Sequence, residues 1–207
     1  MRKELGIFIF NDVEVLDFCG PFEVFSVTRL NEEKRNEEES PFKVCLISED
    51  GNEIRTSGGM IARPDFGIEN CPELNILLIP GGMGTRKEMK NTKILNWVKS
   101  NSLKLEYLSS VCTGALVLGS AGLLSGKRAT THWKSLDWMQ ELFPDVKVEK
   151  KLHFVQDGNL FTSAGISAGI DMSLKLVEEI YGDQISRATA RHMEYPYPES
   201  DSRRISI

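Results

Sequence analysis

Short apolar runs alternate along the chain with longer runs that have helical spacing. The runs at residues 5–10 and 76–79 are continuous, as expected of parallel strands buried on both faces. β-rich apolar runs predict further strands at 42–48, 105–111 and 129–131. Apolar positions three and four residues apart predict helices from Pro21 to about residue 30, around 94–98, and at 115–124, 133–142, 166–181 and 184–192. Alternating strands and helices are typical of an α/β fold on a mainly parallel sheet.

Turn signals complete this outline. Asp157-Gly158, between apolar runs at 147–156 and 159–163, strongly indicates a β-hairpin, and residues 49–52 predict a turn into a short hairpin partner for strand 42–48. The mixed-charge run at 32–39 is predicted to be a solvated loop or helix end. No repeat or linker divides the pattern. Residues 1–193 are therefore predicted to form one three-layer α/β sandwich, and residues 194–207 an extended or partly disordered tail.

Composition narrows the choice of partners. The chain has 207 residues, 41% of them hydrophobic, which suits one self-sufficient globular domain. A net charge of -5 argues against general binding to nucleic acid or anionic lipid, and no apolar stretch approaches the ~20 residues of a membrane helix. The four cysteines lack CxxC spacing and the density of a secreted disulfide scaffold, which favours the reducing cytoplasm as the location of the protein. A small molecule is the expected partner.

Candidate chemistry lies where the predicted strands end, because ligands of open α/β sheets bind outside the carboxyl ends of the strands. Asp17 follows the first strand in apolar company, and the Pro-Gly-Gly-Met-Gly turn at 80–84 offers backbone N–H groups. Cys112 stands at the apex of a strand-to-helix turn that resembles a nucleophile elbow. A helix N-terminus there is expected to lower the thiol pKa. Cys112 is thus the best nucleophile candidate.

Each of these residues also has a structural interpretation. From spacing alone, Cys112 is explained equally well as a nucleophile or as a small buried hydrophobic residue. Asp17 is explained equally well as a catalytic acid or as a helix or turn cap. His132, which follows a short strand, is favoured as structural over catalytic. A metal site at Cys112 and His132 is disfavoured because no second pair of ligands is visible, so no metal or cofactor is expected. The other cysteines are assigned structural roles: Cys19, Cys45 and Cys71.

Motifs spread over nearly the whole chain resemble one known group. The most specific are Ser-Val-Cys-Thr-Gly-Ala at 110–115 and Ala-Thr-Thr-His-Trp at 129–133, and others lie at 8–13, 16–21, 79–84, 116–124, 157–160 and 164–171. Together they resemble the ThiJ/PfpI superfamily and, within it, the isonitrile hydratase branch. The resemblance implies a flavodoxin-like, class I glutamine amidotransferase-like fold and a homodimer. Apolar residues around the first helix also favour a dimer: Phe18, Phe22 and Phe25.

The resemblance also implies a mechanism. Cys112 would attack the terminal carbon of an isocyanide to give a thioimidate, and Asp17 would deliver a proton and then activate water to release an N-substituted formamide. Backbone N–H groups of Gly82 and Thr113 would form a polar cradle over the sulfur, supported by the Thr113 hydroxyl. Further residues are placed near the pocket: Gly81, His132, Gly165 and Ile166.

Differences between this sequence and other branches of the superfamily narrow the activity that is expected. Thr113 stands where the peptidase branch has a histidine, and Asp17 where the deglycase and glyoxalase branches have a glutamate. Related sensor domains of AraC-type regulators carry a C-terminal helix-turn-helix domain, whereas this chain ends about 15 residues after its last predicted helix. A DNA-binding role is therefore not expected. Glyoxalase, deglycase or amidase-type thiol chemistry remains an alternative, as does a non-enzymatic redox or stress sensor based on oxidation of Cys112.

Overall fold

The computed structural model describes residues 2–205, which form eleven strands and seven helices. The strands are β1 (Lys3–Phe8), β2 (Phe42–Ser48), β3 (Ile54–Arg55), β4 (Ile61–Ala62), β5 (Phe66–Gly67), β6 (Ile76–Ile79), β7 (Tyr107–Val111), β8 (Arg128–Ala129), β9 (Lys147–Val148), β10 (Phe154–Asp157) and β11 (Leu160–Ser163). The helices are α1 (Val15–Val27), α2 (Thr85–Glu88), α3 (Thr92–Ser102), α4 (Gly114–Ser120), α5 (Leu136–Leu142), α6 (Ala168–Tyr181) and α7 (Asp183–His192).

Seven strands form the central sheet in the order β10-β11-β7-β6-β1-β2-β5. All neighbours are parallel except β10 and β11, which form the hairpin predicted around Asp157-Gly158. Helices α1, α6 and α7 pack on one another, and α2, α3 and α4 make a second group. The predicted three-layer α/β sandwich with a mainly parallel sheet is confirmed. Because β1, β6, β7 and β11 run the same way, the turns after these strands meet at one edge of the sheet.

Several predicted boundaries are wrong, among them the strand at 147–156, which is divided into β9 and β10, and those of three helices, each for a local reason. Helix α1 begins at Val15, so Pro21 lies inside it rather than in its first turn. Helix α4 stops at Ser120, and Gly122 just beyond it has a left-handed φ of 76°. Helix α6 begins two residues later than predicted because Ile166 also has a left-handed φ, of 57°. The start of α1 matters most, because it puts Asp17 in a helix rather than in a loop.

The hairpin partner predicted for β2 is also wrong. Strand β3 pairs antiparallel with β4, and the free edge of β2 is taken by β5 in parallel, with Ile47 opposite Phe66. The two-residue strands β3 and β4 thus form a separate small sheet. The charged segment at 32–39 contains one 3-10 turn over Glu32–Lys34 and is mostly exposed, as predicted.

The aromatic residues of α1 do not support the dimer argument made from them. Phe18 and Phe25 are buried in the core of the single chain, and Phe22 is half-buried against that core. One chain therefore absorbs these rings, and the homodimer remains a prediction that rests on the family resemblance alone. None of the helices within residues 2–205 is long and apolar enough to cross a bilayer.

The chain after α7 runs extended along the protein surface. Ser202 forms a bridge with Leu152, and the Arg203 guanidinium donates to the backbone oxygen of Thr131 at 2.9 Å. Arg204 donates to the buried carboxylate of Asp171 at 3.0 Å. These contacts hold the tail against the domain as far as Arg204. The last two residues of the predicted tail, 206 and 207, lie outside the described residues, and the proposed domain limits stay a prediction.

Candidate active site

Cys112 occupies a strained turn between β7 and α4. Its φ is 55°, which is uncommon for a residue other than glycine. Neighbouring segments hold this conformation: its N–H donates to the backbone oxygens of Ser163 and Ala164, and its carbonyl accepts from Thr131 Oγ1 at 2.7 Å. Gly114 is needed two residues later, because a Cβ there would overlap the Ile79 carbonyl. The elbow indicated by the sequence is present, and its strain is held by hydrogen bonds from two other turns.

Asp17 lies in the first turn of α1 with no exposed surface. Its Oδ2 accepts a hydrogen bond of 2.9 Å from the Gly81 N–H, whereas Glu14 occupies the N-cap position of the helix. Asp17 is therefore not a helix cap, although it does accept a backbone hydrogen bond from the glycine turn. Its second oxygen, Oδ1, is buried and has no hydrogen-bond partner that meets ordinary geometric limits within residues 2–205. A buried carboxyl oxygen left in this way is available to carry a proton.

Gly81 lets three turns converge at this point. A Cβ at position 81 would lie 2.6 Å from the Thr113 nitrogen, 2.7 Å from Cys112 Cβ and 2.8 Å from Asp17 Oδ2. Atoms do not approach that closely, so any side chain at Gly81 would push the other three residues apart. The sequence placed these residues at the ends of different strands. The structure brings them into one contact cluster around a glycine.

Burial determines the proton affinity of this cluster. Removal from water raises the pKa of Asp17 to about 7, against the smaller lowering effects of the Gly81 N–H and the Cys112 side chain. Burial, followed by the Asp17 carboxylate, raises the pKa of the Cys112 thiol, while the Thr113 N–H lowers it. The N–H at the start of α4 lowers the thiol pKa as expected, but burial outweighs it, so the prediction of a lowered thiol pKa is wrong. Above pH 7 the two side chains share one proton.

Thr113 connects this pair to the glycine turn after β6. Its Oγ1 accepts from the Gly82 N–H at 3.0 Å and from Thr85 Oγ1 at 3.1 Å. The Gly82 N–H is consequently already bonded, contrary to the prediction that it lies over the sulfur. Of the predicted cradle, the Thr113 N–H is the donor that interacts with Cys112. The hydroxyl of Thr113 bonds the glycine turn and also interacts with the Cys112 side chain, where it helps to lower the thiol pKa.

An open pocket of about 190 Å³ leads to the Cys112 side chain. Four of the predicted residues line it with Cys112: Gly82, Thr113, His132 and Ile166. The lining also includes residues that the sequence reasoning missed, namely Glu14, Met83, Arg86, Lys134 and Ser135. Each of these residues lies within about four positions of a predicted site residue. Proximity along the chain was therefore the signal by which the sequence could have identified them. Asp17 is buried and does not line the pocket.

His132 lines the pocket as a neutral ring. Its Nδ1 accepts from the Lys134 N–H at 3.2 Å, and burial lowers its pKa, with smaller contributions from Lys134 and Arg203. A Cβ at Gly165 would overlap the imidazole, so this glycine makes room for His132 and is not itself part of the lining. Within residues 2–205, no three His, Cys, Asp or Glu side chains come together as a metal ion would require.

Comparison with known proteins identifies the family. Residues 3–179 match the DJ-1/PfpI family. The chain belongs to the DJ-1/PfpI family. The resemblance predicted from the motifs is thus confirmed. Among curated proteins, this DJ-1/PfpI chain is 36% identical to the isonitrile hydratase of Pseudomonas putida over 98% of its own length and 83% of that protein.

Other relatives of this DJ-1/PfpI chain show how the domain is used elsewhere. It is 32% identical to the HTH-type transcriptional regulator GbdR of Pseudomonas aeruginosa, but it spans only 44% of that regulator. A crystal structure of a THiJ/PfpI family protein from Pseudomonas syringae superposes with a TM-score of 0.83 at 26% identity, covering 97% of this chain and 78% of that one. The relatives therefore include both an enzyme and a regulator.

Proposed function

We propose that the protein is an enzyme that hydrates isocyanides to N-substituted formamides, with Cys112 as nucleophile and Asp17 as proton carrier. One observation carries the proposal: a fully buried carboxyl with a raised pKa and an unbonded oxygen lies beside a thiol that opens onto a small pocket. The similarity to an isonitrile hydratase along almost the whole chain supports the same chemistry.

The first step joins the thiol to the isocyanide. The terminal carbon of R–NC accepts the sulfur of Cys112, and the single proton shared with Asp17 moves to that carbon. A C–S bond and a C–H bond form, which gives the thioimidate R–N=CH–S and leaves Asp17 as carboxylate. The Asp17 pKa of about 7 suits it to pass a proton in both directions near neutral pH.

The second step releases the product. Water adds to the thioimidate carbon while the Asp17 carboxylate takes one of its protons, so that Asp17 becomes the acid again. Asp17 passes this proton to the nitrogen, and the C–S bond breaks as the proton of the new hydroxyl moves by way of Asp17 to the sulfur. R–NH–CHO leaves together with the regenerated thiol. Thr113 supports both steps by holding its N–H toward the sulfur and its hydroxyl on the glycine turn. Gly81 keeps donor, acceptor and nucleophile within contact distance.

Product analysis tests the proposal. We expect the wild-type protein to convert a small alkyl isocyanide to its formamide, followed by NMR, and Cys112→Ala to form none. Cys71→Ser is the matched control: Cys71 is a half-buried thiol outside the pocket, so this variant should keep its turnover. Conversion of methylglyoxal but not of isocyanide would overturn the proposal in favour of glyoxalase chemistry. Turnover of neither compound, with peroxide-dependent oxidation of Cys112, would favour a sensor.

A further inference from the structure

Two cationic side chains lie at the mouth of the pocket. Arg86 reaches it from α2, and Lys134 from the turn between His132 and α5. Within residues 2–205, neither has a carboxylate at ion-pair distance, although the protein carries a net charge of -5. Both are exposed to solvent. An acidic protein thus places two uncompensated positive charges beside its candidate nucleophile.

Aromatic rings position both cations. The Arg86 guanidinium lies 5.4 Å from the centre of the Trp138 ring, and Lys134 Nζ lies 5.1 Å from the centre of the Trp133 ring. Cation–π contacts of this kind restrict long side chains that would otherwise sample many rotamers. These contacts restrict both long side chains, which reduces the entropy that a ligand must remove when it binds them.

One acid faces the same pocket. Glu14 accepts a hydrogen bond of 3.1 Å from Ser57 Oγ and is close enough to Asp17 to raise its pKa slightly. Glu14 belongs to the segment before α1, whereas both cations come from other segments. Two cations thus face one acid in the lining, with the Asp17 carboxyl buried behind Cys112, and Met83 and Ile166 add apolar surface.

We propose that the substrate carries a carboxylate in addition to its isocyanide, and that Arg86 and Lys134 bind this carboxylate. The inference rests on the proposed function and adds a substrate class to it. A planar guanidinium matches a carboxylate through two parallel hydrogen bonds, and an ammonium adds a second charge. With the anion held at the mouth, a short substrate directs its other end toward Cys112. A pocket of about 190 Å³ suits a molecule of that size.

The experiment compares two substrates that differ in one charge. Isocyanoacetate carries the carboxylate, and its methyl ester is a neutral compound of nearly the same size. We expect kcat/KM for the anion to exceed that for the ester by about tenfold or more at low salt, and the ratio to fall when salt screens the charges. Arg86→Met and Lys134→Met should each lower the anion-to-ester ratio roughly tenfold, since each removes a charge-assisted contact.

Lys99→Met is the matched control, because Lys99 is an exposed lysine of α3 outside the pocket; it should leave the ratio unchanged. Arg86→Lys should retain part of the preference, since it keeps the charge and loses the planar fork. Equal hydration of both compounds, or a ratio insensitive to Arg86→Met and Lys134→Met, overturns the inference and leaves the proposed function intact. Absence of formamide from both compounds overturns the proposed function and this inference with it.

Discussion

Replacing Asp17 by Asn should make the protein more stable at alkaline pH and less active. The wild-type carboxyl has a pKa of about 7 in the folded protein, against about 3.8 for an ordinary aspartate. At pH values between these two pKa values, the folded state binds a proton that the unfolded state has already lost. Stability therefore falls as the pH rises toward 7. Asn is neutral at every pH and has no such dependence.

The magnitude follows from the pKa difference. Between pH 5 and pH 8 the group alone costs the wild type about 2.6 kcal/mol, because the slope of roughly 1.36 kcal/mol per pH unit flattens as the pH passes the folded pKa. Asn retains the acceptor for the Gly81 N–H, but it buries amide donors that cost about 1–2 kcal/mol if unpaired. We expect Asp17→Asn to be about 1–2 kcal/mol less stable than wild type at pH 5 and about 1 kcal/mol more stable at pH 8, the latter a rise of roughly 2–4 °C in Tm.

Urea unfolding of both proteins at pH 5 and pH 8 measures this difference. Asp171→Asn is the control, because that buried carboxyl accepts a hydrogen bond from Arg204 at 3.0 Å and has its other oxygen 2.7 Å from His153 Nε2. Removing its charge takes away the charged acceptor of the partly exposed Arg204 and should destabilise the protein by about 1–2 kcal/mol at both pH values. If Asp17→Asn instead lowers stability equally at pH 5 and pH 8, Asp17 is not the desolvated acid described above.

Three further results are expected. Wild-type kcat/KM for isocyanide hydration should rise about tenfold per pH unit below pH 7 and level off above it, because the pair of Asp17 and Cys112 must first lose one of its two protons. Asp17→Asn should lack this inflection. A wild-type pH–rate profile without the inflection would contradict the proposed proton-sharing pair. Gly81→Ala should lower kcat/KM about 10²-fold by separating the reacting groups, whereas Gly58→Ala, with open space around its Cβ position, should match wild type in the same assay. Light scattering at micromolar concentration should give the mass of a homodimer, and a monomer would contradict the resemblance-based expectation.

Local patterns were sufficient for much of the fold. Strands β2 and β6 have the predicted limits because each is an apolar run closed by turn residues at both ends. The helix start at Val15 was missed because Pro21 is a standard first-turn residue, and only packing in the folded chain shows that it lies within the helix. Sequence spacing cannot report such long-range packing.

The site was predictable in its positions and not in its energetics. Asp17 and Cys112 follow strands that end at the same sheet edge, so their proximity could be inferred from topology. The pKa of the thiol could not be inferred from the sequence, because it depends on how completely neighbouring segments exclude water. Arg86 and Lys134 were missed for a similar reason: exposed charges carry no periodic signal, and only the fold shows that they face one pocket.

The central claim is that a covalent bond forms between Cys112 and the isocyanide carbon. Acid quenching during turnover with excess isocyanide, followed by intact mass measurement and peptide mapping, tests it most directly. The account predicts a mass increase of one isocyanide on the peptide that contains Cys112, and no increase in Cys112→Ala. Formamide production by Cys112→Ala at the wild-type rate, or an adduct confined to another cysteine, would contradict it.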